Sequence, residues 1–245
     1  MGLRLELDIM STNPSDHRAQ DLLRYARSLG ASLAGIASRE AVQSSRSYVA
    51  CGLGPWPQNA RAILVLGLAH PADQPRLDWW DGLQGTPGNR TLMRISKQII
   101  EWLRPELGVA ARDIPYRMEK GGIFLKDAAV HAGLGVIGKN NLLITPPFGP
   151  RVRLRALFLD RDLEPARPLE YAPCMACEAP CIRACPQKAF PQGIYERSLC
   201  SRQMDRDVAR RKPAPEPAPG EPQRGWIHYC RRCELACPAG WADRA

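Results

Sequence analysis

Eight of the nine cysteines of this 245-residue chain lie between positions 174 and 237. The first run reads Cys174-Met-Ala-Cys177-Glu-Ala-Pro-Cys181-Ile-Arg-Ala-Cys185-Pro186, and the second Cys230-Arg-Arg-Cys233-Glu-Leu-Ala-Cys237-Pro238, with Cys200 between them. Short loops of this kind present several thiolates to one face of an iron–sulfur cube, while a cysteine followed by proline reaches away to a second cube. Iron in such clusters prefers soft, deprotonated sulfur, and close loops supply it without a large core. The pattern predicts two [4Fe-4S] clusters. Zinc suits it less, because structural zinc takes four ligands as two pairs, often with histidine. Disulfides would need an oxidising compartment. The first run departs from the bacterial ferredoxin spacing by one residue before Cys181, around Pro180.

A second constellation is His131-Ala-Gly-Leu-Gly-Val-Ile-Gly-Lys-Asn-Asn-Leu-Leu-Ile144, with Gly133, Gly135 and Gly138 between a helix and a strand. Such glycines allow close backbone approach, either to another element or to a flat ligand. The order of elements is the reverse of a dinucleotide-binding fingerprint. On the residues alone, a tight structural turn is the stronger reading.

The elements that must position these residues follow from periodicity and punctuation. Ser15 is expected to cap a helix from Asp16 to about Leu29, closed by Gly30. Residues 32–37 read as a short strand, 40–47 as a short helix, and the continuous apolar run 62–68 as a buried central strand. The segment 71–89 reads as a loop. Residues 91–107 carry apolar side chains at helical spacing, 114–117 read as a short strand, 124–131 as a helix, and 141–145 and 152–160 as strands about a turn at 146–150. Helices and strands therefore interleave to about residue 163. Within the cysteine-rich part, 213–222 is a Pro-Ala-Glu-Gly stretch, expected to be an exposed spacer.

The hydrophobic fraction of 44% permits an ordinary core. No apolar run approaches membrane-span length, and Met1 to Met10 lacks the order of a secretory signal. A cytoplasmic protein with reduced cysteines and no membrane partner is expected. The formal charge of +9 fits nucleic acid, an anionic cofactor or an acidic protein, and equally a solvated basic surface. Arg202, Arg206 and Arg210 share a helical face, interrupted by Asp205 and Asp207.

Ala132-Gly-Leu-Gly-Val-Ile-Gly-Lys-Asn140, then Leu142-Leu-Ile-Thr-Pro-Pro-Phe-Gly-Pro-Arg-Val-Arg-Leu154, then the two cysteine runs, resembles the epoxyqueuosine reductase family and its relatives, the corrinoid-dependent reductive dehalogenases. The Thr-Pro-x-x-Gly-Pro-Arg-Val-Arg piece leans toward the dehalogenases, and the match covers residues 60 to 240. The resemblance implies an α+β fold: a nitroreductase-like domain over 1–163 that holds cobalamin, then a ferredoxin-like two-cluster module over 164–245. It implies that ligands cross over, with Cys174, Cys177, Cys181 and Cys237 on one cluster and Cys185, Cys200, Cys230 and Cys233 on the other. Cys51 is left over as a plain thiol. Gly133, Gly135, Gly138, Lys139 and Asn140 become candidate cofactor-binding residues. The aspartate that acts as proton donor in epoxyqueuosine reductases is matched by Glu119, whose other reading is a surface carboxylate paired with Lys120 or Arg117. Tyr116 is a second proton donor to consider, while His70 and His131 are read as structural.

The family's helical-repeat extension and the dehalogenases' export signal find no counterpart in these 245 residues, so an abbreviated substrate machinery is expected. The expected activity is that of a corrinoid-dependent reductase fed by a flavodoxin- or ferredoxin-type donor, acting on a small molecule or on tRNA epoxyqueuosine. The alternatives are a non-catalytic electron carrier and a corrinoid-binding or reactivating protein.

Overall fold

The computed structural model describes residues 14–52, 56–81, 85–213 and 225–240. Its centre is β2 (Ala62–Ala69), whose first six residues are buried. An antiparallel sheet forms around it in the order β1 (Leu33–Ser38), β2, β6 (Val152–Leu159), β3 (Ala111–Asp113). The register runs Leu33↔Gly67 to Ser38↔Ala62 on one side of β2, and Ala62↔Leu159 to Ala69↔Val152 on the other.

Alternation along β2 decides which helices it touches. Ala62, Leu64 and Leu66 point into a core shared with α1 (Pro14–Ser28) and α4 (Pro87–Leu107). Ile63 and Val65 point the other way, into a core with Val42 of α2 (Arg39–Gln43), Tyr48 of α3 (Arg46–Cys51), and Ala128 and Ala129 of α5 (Leu125–His131). Burial on both faces is why the strand reads as an unbroken apolar run rather than an alternating one. Each leucine or isoleucine so buried contributes roughly 1.5–3 kcal/mol relative to exposure.

Several expected boundaries shift. The helix expected from Asp16 already begins at Pro14, so Ser15 lies inside its first turn. The helix expected over 40–47 is two, α2 and α3, broken at Ser44 and Ser45; Ser38 caps α2 by accepting from the Ala41 amide. The expected loop 71–89 contains a 3-10 turn at Pro75–Asp78 and the first turn of α4. There Thr86 accepts from the Asn89 amide and Pro87 takes the first helical position, where a missing N–H costs nothing. The strand expected over 114–117 lies three residues earlier, at Ala111–Asp113. The N-terminal residues 1–10 and nearly all of the spacer 213–222 lie outside the described residues.

The remaining elements serve the cysteines. A small hairpin pairs β4 (Val136–Ile137) with β5 (Leu143–Ile144). Beyond residue 163, α6 (Pro180–Arg183) packs against α8 (Arg232–Leu235), and α7 (Arg197–Ala209) lies between them in sequence. β7 (Lys212–Pro213) pairs with β8 (Gly225–Trp226). The cysteine-rich part is joined to the sheet part by a bridge in which Trp80 and Ile227 exchange backbone hydrogen bonds of 3.0 and 2.8 Å. No helix among the described residues is long and apolar enough to cross a membrane.

Candidate metal centres

Cys174, Cys177, Cys181 and Cys237 border a single cavity of about 420 Å3, together with Lys139, Asn140 and Tyr171. Cys174 lies on a turn, Cys177 in the irregular stretch before α6, and Cys181 is the second residue of α6. The extra residue in the first run is absorbed at Ala179, which adopts a left-handed conformation (φ 55°) and starts α6 at Pro180. Cys181 is thereby turned inward and buried at 5% exposure, like Cys237 at 6%. Cys237, contributed by the second run, follows α8.

The other four cysteines form a second group. Cys230 and Cys233 each interact electrostatically with both Cys185 and Cys200. Cys200 sits in the first turn of α7, where its sulfur pairs with the Tyr195 hydroxyl. The Ala189 amide donates to Cys185 Sγ at 3.3 Å, and the Cys230 amide donates to Asp207 Oδ2 of α7 at 2.8 Å. Cys51 is exposed at the end of α3 and belongs to neither group.

No three His, Cys, Asp or Glu side chains among the described residues converge tightly enough to hold a single metal ion. Four sulfurs spread around a cavity are instead the donor arrangement that a polynuclear iron–sulfur centre takes. The electrostatics agree. Burial, then neighbouring anionic groups (the other sulfurs, with Asp207 at Cys230 and Glu234 at Cys233), push the Cys181, Cys230, Cys233 and Cys237 thiols up, Cys233 to about 12. Four thiolates in such a place repel one another and are poorly solvated, and a cationic iron core removes both penalties. The residues present therefore fit iron–sulfur clusters.

The glycine stretch has a different surrounding. A Cβ at Gly133 would lie 2.8 Å from the Arg167 carbonyl oxygen, one at Gly135 2.3 Å from the Ile144 carbonyl oxygen, and one at Gly138 2.6 Å from Ile144 Cγ1. In the Cβ direction the close approach at all three is to protein. Lys139 and Asn140 have a joining role. Lys139 Nζ donates to the Cys177 carbonyl at 3.2 Å, and Asn140 Nδ2 to the Cys233 carbonyl at 3.4 Å. Asn140 is buried, and its Oδ1 accepts from the Leu142 amide at 3.2 Å, which fixes the side chain. One loop of the sheet part thus touches both cysteine runs.

Glu119 lies in the 3-10 turn Met118–Lys120, exposed, with Arg117 Nη1 3.8 Å from its carboxylate. Tyr116 beside it is 73% exposed. His70 is buried and bonded to Asp78, and His131 ends α5.

Arg151 was missed as a functional residue. It is buried at 4% and donates from Nη1 to the Cys237 carbonyl at 3.3 Å and from Nη2 to the Ala239 carbonyl at 2.6 Å. The signal was present in Thr145-Pro-Pro-Phe-Gly-Pro-Arg151. Thr145 and Gly149 close that turn through reciprocal backbone bonds, and the Thr145 hydroxyl donates to the Gly149 carbonyl. Gly149 (φ 56°) lies so close to Ala239 that a Cβ would fall 2.0 Å from its carbonyl oxygen.

No family model matches the chain. An epoxyqueuosine reductase of Lactococcus garvieae is 27% identical over 193 residues, which is 74% of this chain and 52% of that protein. One from Synechocystis is 27% identical over 243 residues, 96% of this chain and 78% of that protein. A tetrachloroethene reductive dehalogenase of Sulfurospirillum multivorans is 42% identical over 67 residues, 26% of this chain and 13% of that protein. Among solved structures, an epoxyqueuosine reductase with an epoxyqueuosine-modified tRNA-Tyr stem loop superposes with a TM-score of 0.62 at 19% identity, covering 91% of this chain and 65% of that one. A catabolic reductive dehalogenase gives 0.63 at 18%, covering 94% and 32%. The chain spans about half the length of curated epoxyqueuosine reductases that it matches, 52% in one and 47% in another. In sequence the chain is similar to epoxyqueuosine reductases and, over a shorter stretch, to reductive dehalogenases, and it shares their fold.

Proposed function

We propose that the protein is an iron–sulfur oxidoreductase of the epoxyqueuosine reductase type, working in a reducing, cytoplasmic setting, with two [4Fe-4S] clusters held by the crossed quartets. The observation that carries this reading is the grouping of eight cysteines into two fours, each drawing on both runs. Bound clusters would supply one-electron transfer.

The chain's own residues do the rest. Cys174, Cys177, Cys181 and Cys237 hold the first cluster against the sheet part, with Lys139, Asn140 and Arg151 fixing the carbonyls of Cys177, Cys233 and Cys237. Cys185, Cys200, Cys230 and Cys233 hold the second, and the Ala189 amide and Tyr195 hydroxyl place donors at its sulfurs. Residues 1–163 act as the substrate-side domain and 164–245 as the electron-transfer module. Glu119 is the proton donor of this reading. Its exposed turn is compatible with such a role, because a Bacillus subtilis epoxyqueuosine reductase structure is described with a catalytic aspartate loop swung out of the active site.

Cobalamin enters as the second cofactor because a solved relative is described as a structure for B12-dependent dehalogenation. Gly133, Gly135, Gly138, Lys139 and Asn140 are its proposed seat, with Lys139 and Asn140 bordering the cavity of the first quartet. The substrate class is tRNA epoxyqueuosine, in line with the relative crystallised with a modified tRNA stem loop and with the net charge of +9. The electron donor is a flavodoxin or ferredoxin. A second reading, an electron carrier without its own substrate, rests on the eight grouped cysteines alone.

The test is anaerobic reconstitution with cobalamin, cobalt analysis, and turnover of epoxyqueuosine-containing tRNA with a reduced low-potential donor. The reductase reading predicts one cobalt per chain and turnover that Glu119→Gln abolishes with cobalt retained. Full iron loading without cobalt or turnover selects the electron carrier.

A further inference from the structure

One buried charge cluster lies outside both cysteine quartets. Asp78 ends the 3-10 turn after β2 and is surrounded by His70 and two arginines. His70 Nδ1 is 2.6 Å from its Oδ2, Arg231 Nη1 is 2.7 Å from the same oxygen, and Arg153 Nη2 of β6 is 2.5 Å from Oδ1. Arg231 also pairs with Glu234 of α8 and donates to the His70 carbonyl at 2.8 Å. The side chains of His70, Asp78, Arg231 and Glu234 are each at most 14% exposed.

Burying several charges is costly and gives weak support to stability alone, so this arrangement calls for another account. Its position provides one. Arg231 lies between Cys230 and Cys233, and Glu234 follows Cys233, with which it interacts electrostatically. His70 and Arg153 belong to the ends of the two central strands, 161 positions and 78 positions before Arg231 in the chain. The Trp80–Ile227 bridge holds the same two segments together a few residues away.

We propose that Arg231 is a positioning residue for the second cysteine quartet. Held by Asp78, Glu234 and the His70 carbonyl, it fixes the Cys230–Cys233 loop on the sheet part and keeps a buried positive charge beside that cluster, setting its reduction potential. The inference rests on the iron–sulfur reading. A buried charge acts through low dielectric, so its sign decides the direction of the effect. A cluster gains a negative charge on reduction. A fixed cation beside it raises the potential, and a fixed anion lowers it.

The experiment is EPR-monitored redox titration of the reconstituted full chain, with iron and sulfide counted in each sample. Arg231→Gln is expected to lower the potential of one cluster and leave the other unchanged. Arg231→Lys, which keeps the charge, restores most of the shift. Asp78→Asn is expected to raise the same potential, because Glu234 and the His70 carbonyl still hold Arg231. Arg153→Gln, on a partly exposed side chain, is the milder companion and lowers it by less. Unchanged potentials at full iron loading, or shifts of one sign in Arg231→Gln and Asp78→Asn, overturn the inference while leaving the cluster reading intact. Wild-type protein that never takes up iron and sulfide overturns both.

Discussion

Arg151 and Cys237 are 86 positions apart, and the buried guanidinium of the first holds the backbone carbonyl of the second at 3.3 Å. Its other nitrogen holds the Ala239 carbonyl at 2.6 Å. The last cysteine of the second run is thus fixed by the strand part of the molecule as well as by its own loop, where its amide donates to the Glu234 carbonyl at 3.2 Å. Replacing Arg151 with Gln removes two charge-assisted hydrogen bonds, each worth roughly 1.5–3 kcal/mol, and leaves the carbonyls of buried Cys237 and half-buried Ala239 poorly satisfied. The expected outcome is loss of the first cluster, with iron falling to about half of the wild-type content and the far-ultraviolet circular dichroism unchanged. Metal analysis of the purified variant checks it.

Gly149 makes the same junction possible at the backbone. At φ 56° an L-residue is disfavoured by roughly 1–2 kcal/mol, and an added Cβ would fall 2.0 Å from the Ala239 carbonyl oxygen. Gly149→Ala should lower the melting temperature by about 4 °C or more, at about 2–4 °C per kcal/mol for a chain of this size. It should also raise the rate of iron loss to a chelator. Calorimetry and chelator kinetics measure the two effects.

Asp78 gives a pH signature. Burial raises its carboxyl pKa, but the hydrogen bond and charge of His70, the charge of Arg231 and the hydrogen bond of Arg153 outweigh burial and hold it below the ordinary 3.8. A carboxyl depressed in the folded state stabilises the fold at pH above the unfolded value. That contribution disappears as pH falls through the lower, folded value. Denaturant unfolding should therefore show wild-type stability falling in the acid range below 3.8. Asp78→Asn should be less stable at neutral pH by roughly 3 kcal/mol, with a flatter acid limb.

The isolated cysteines separate by role. Cys200 interacts with Cys230 and Cys233 from the first turn of α7, whereas Cys51 is exposed on α3. Cys200→Ser is expected to lose or convert the second cluster and change its EPR signal. Cys51→Ser is expected to leave iron content and spectra as in the wild type.

Local patterns made much of this legible. The apolar run 62–68 announced β2 because both of its faces are buried, and the spacing of Leu92, Ile95, Ile99 and Leu103 announced α4. The start of α4 was hidden because Thr86-Pro87 reads as loop punctuation until its capping bond is seen. Ala179 shows how a residue added to a cysteine loop is accommodated, by one left-handed conformation. Gly133, Gly135 and Gly138 signal close approach in sequence, but only the fold shows that the approaching atoms are protein. The His70–Asp78–Arg231 cluster had no local signal at all, since its members meet only after β2 and the second cysteine run are docked.

The most direct test of the account is quantitative iron and acid-labile sulfide analysis of anaerobically reconstituted protein, with EPR of the reduced sample. Two cubane clusters on crossed quartets predict about eight irons and eight sulfides per chain, falling to about half in Cys237→Ser. The spectrum of the remaining cluster should persist in that variant. Stoichiometric zinc without sulfide, or a Cys237→Ser variant that retains the full iron and both signals, would contradict it.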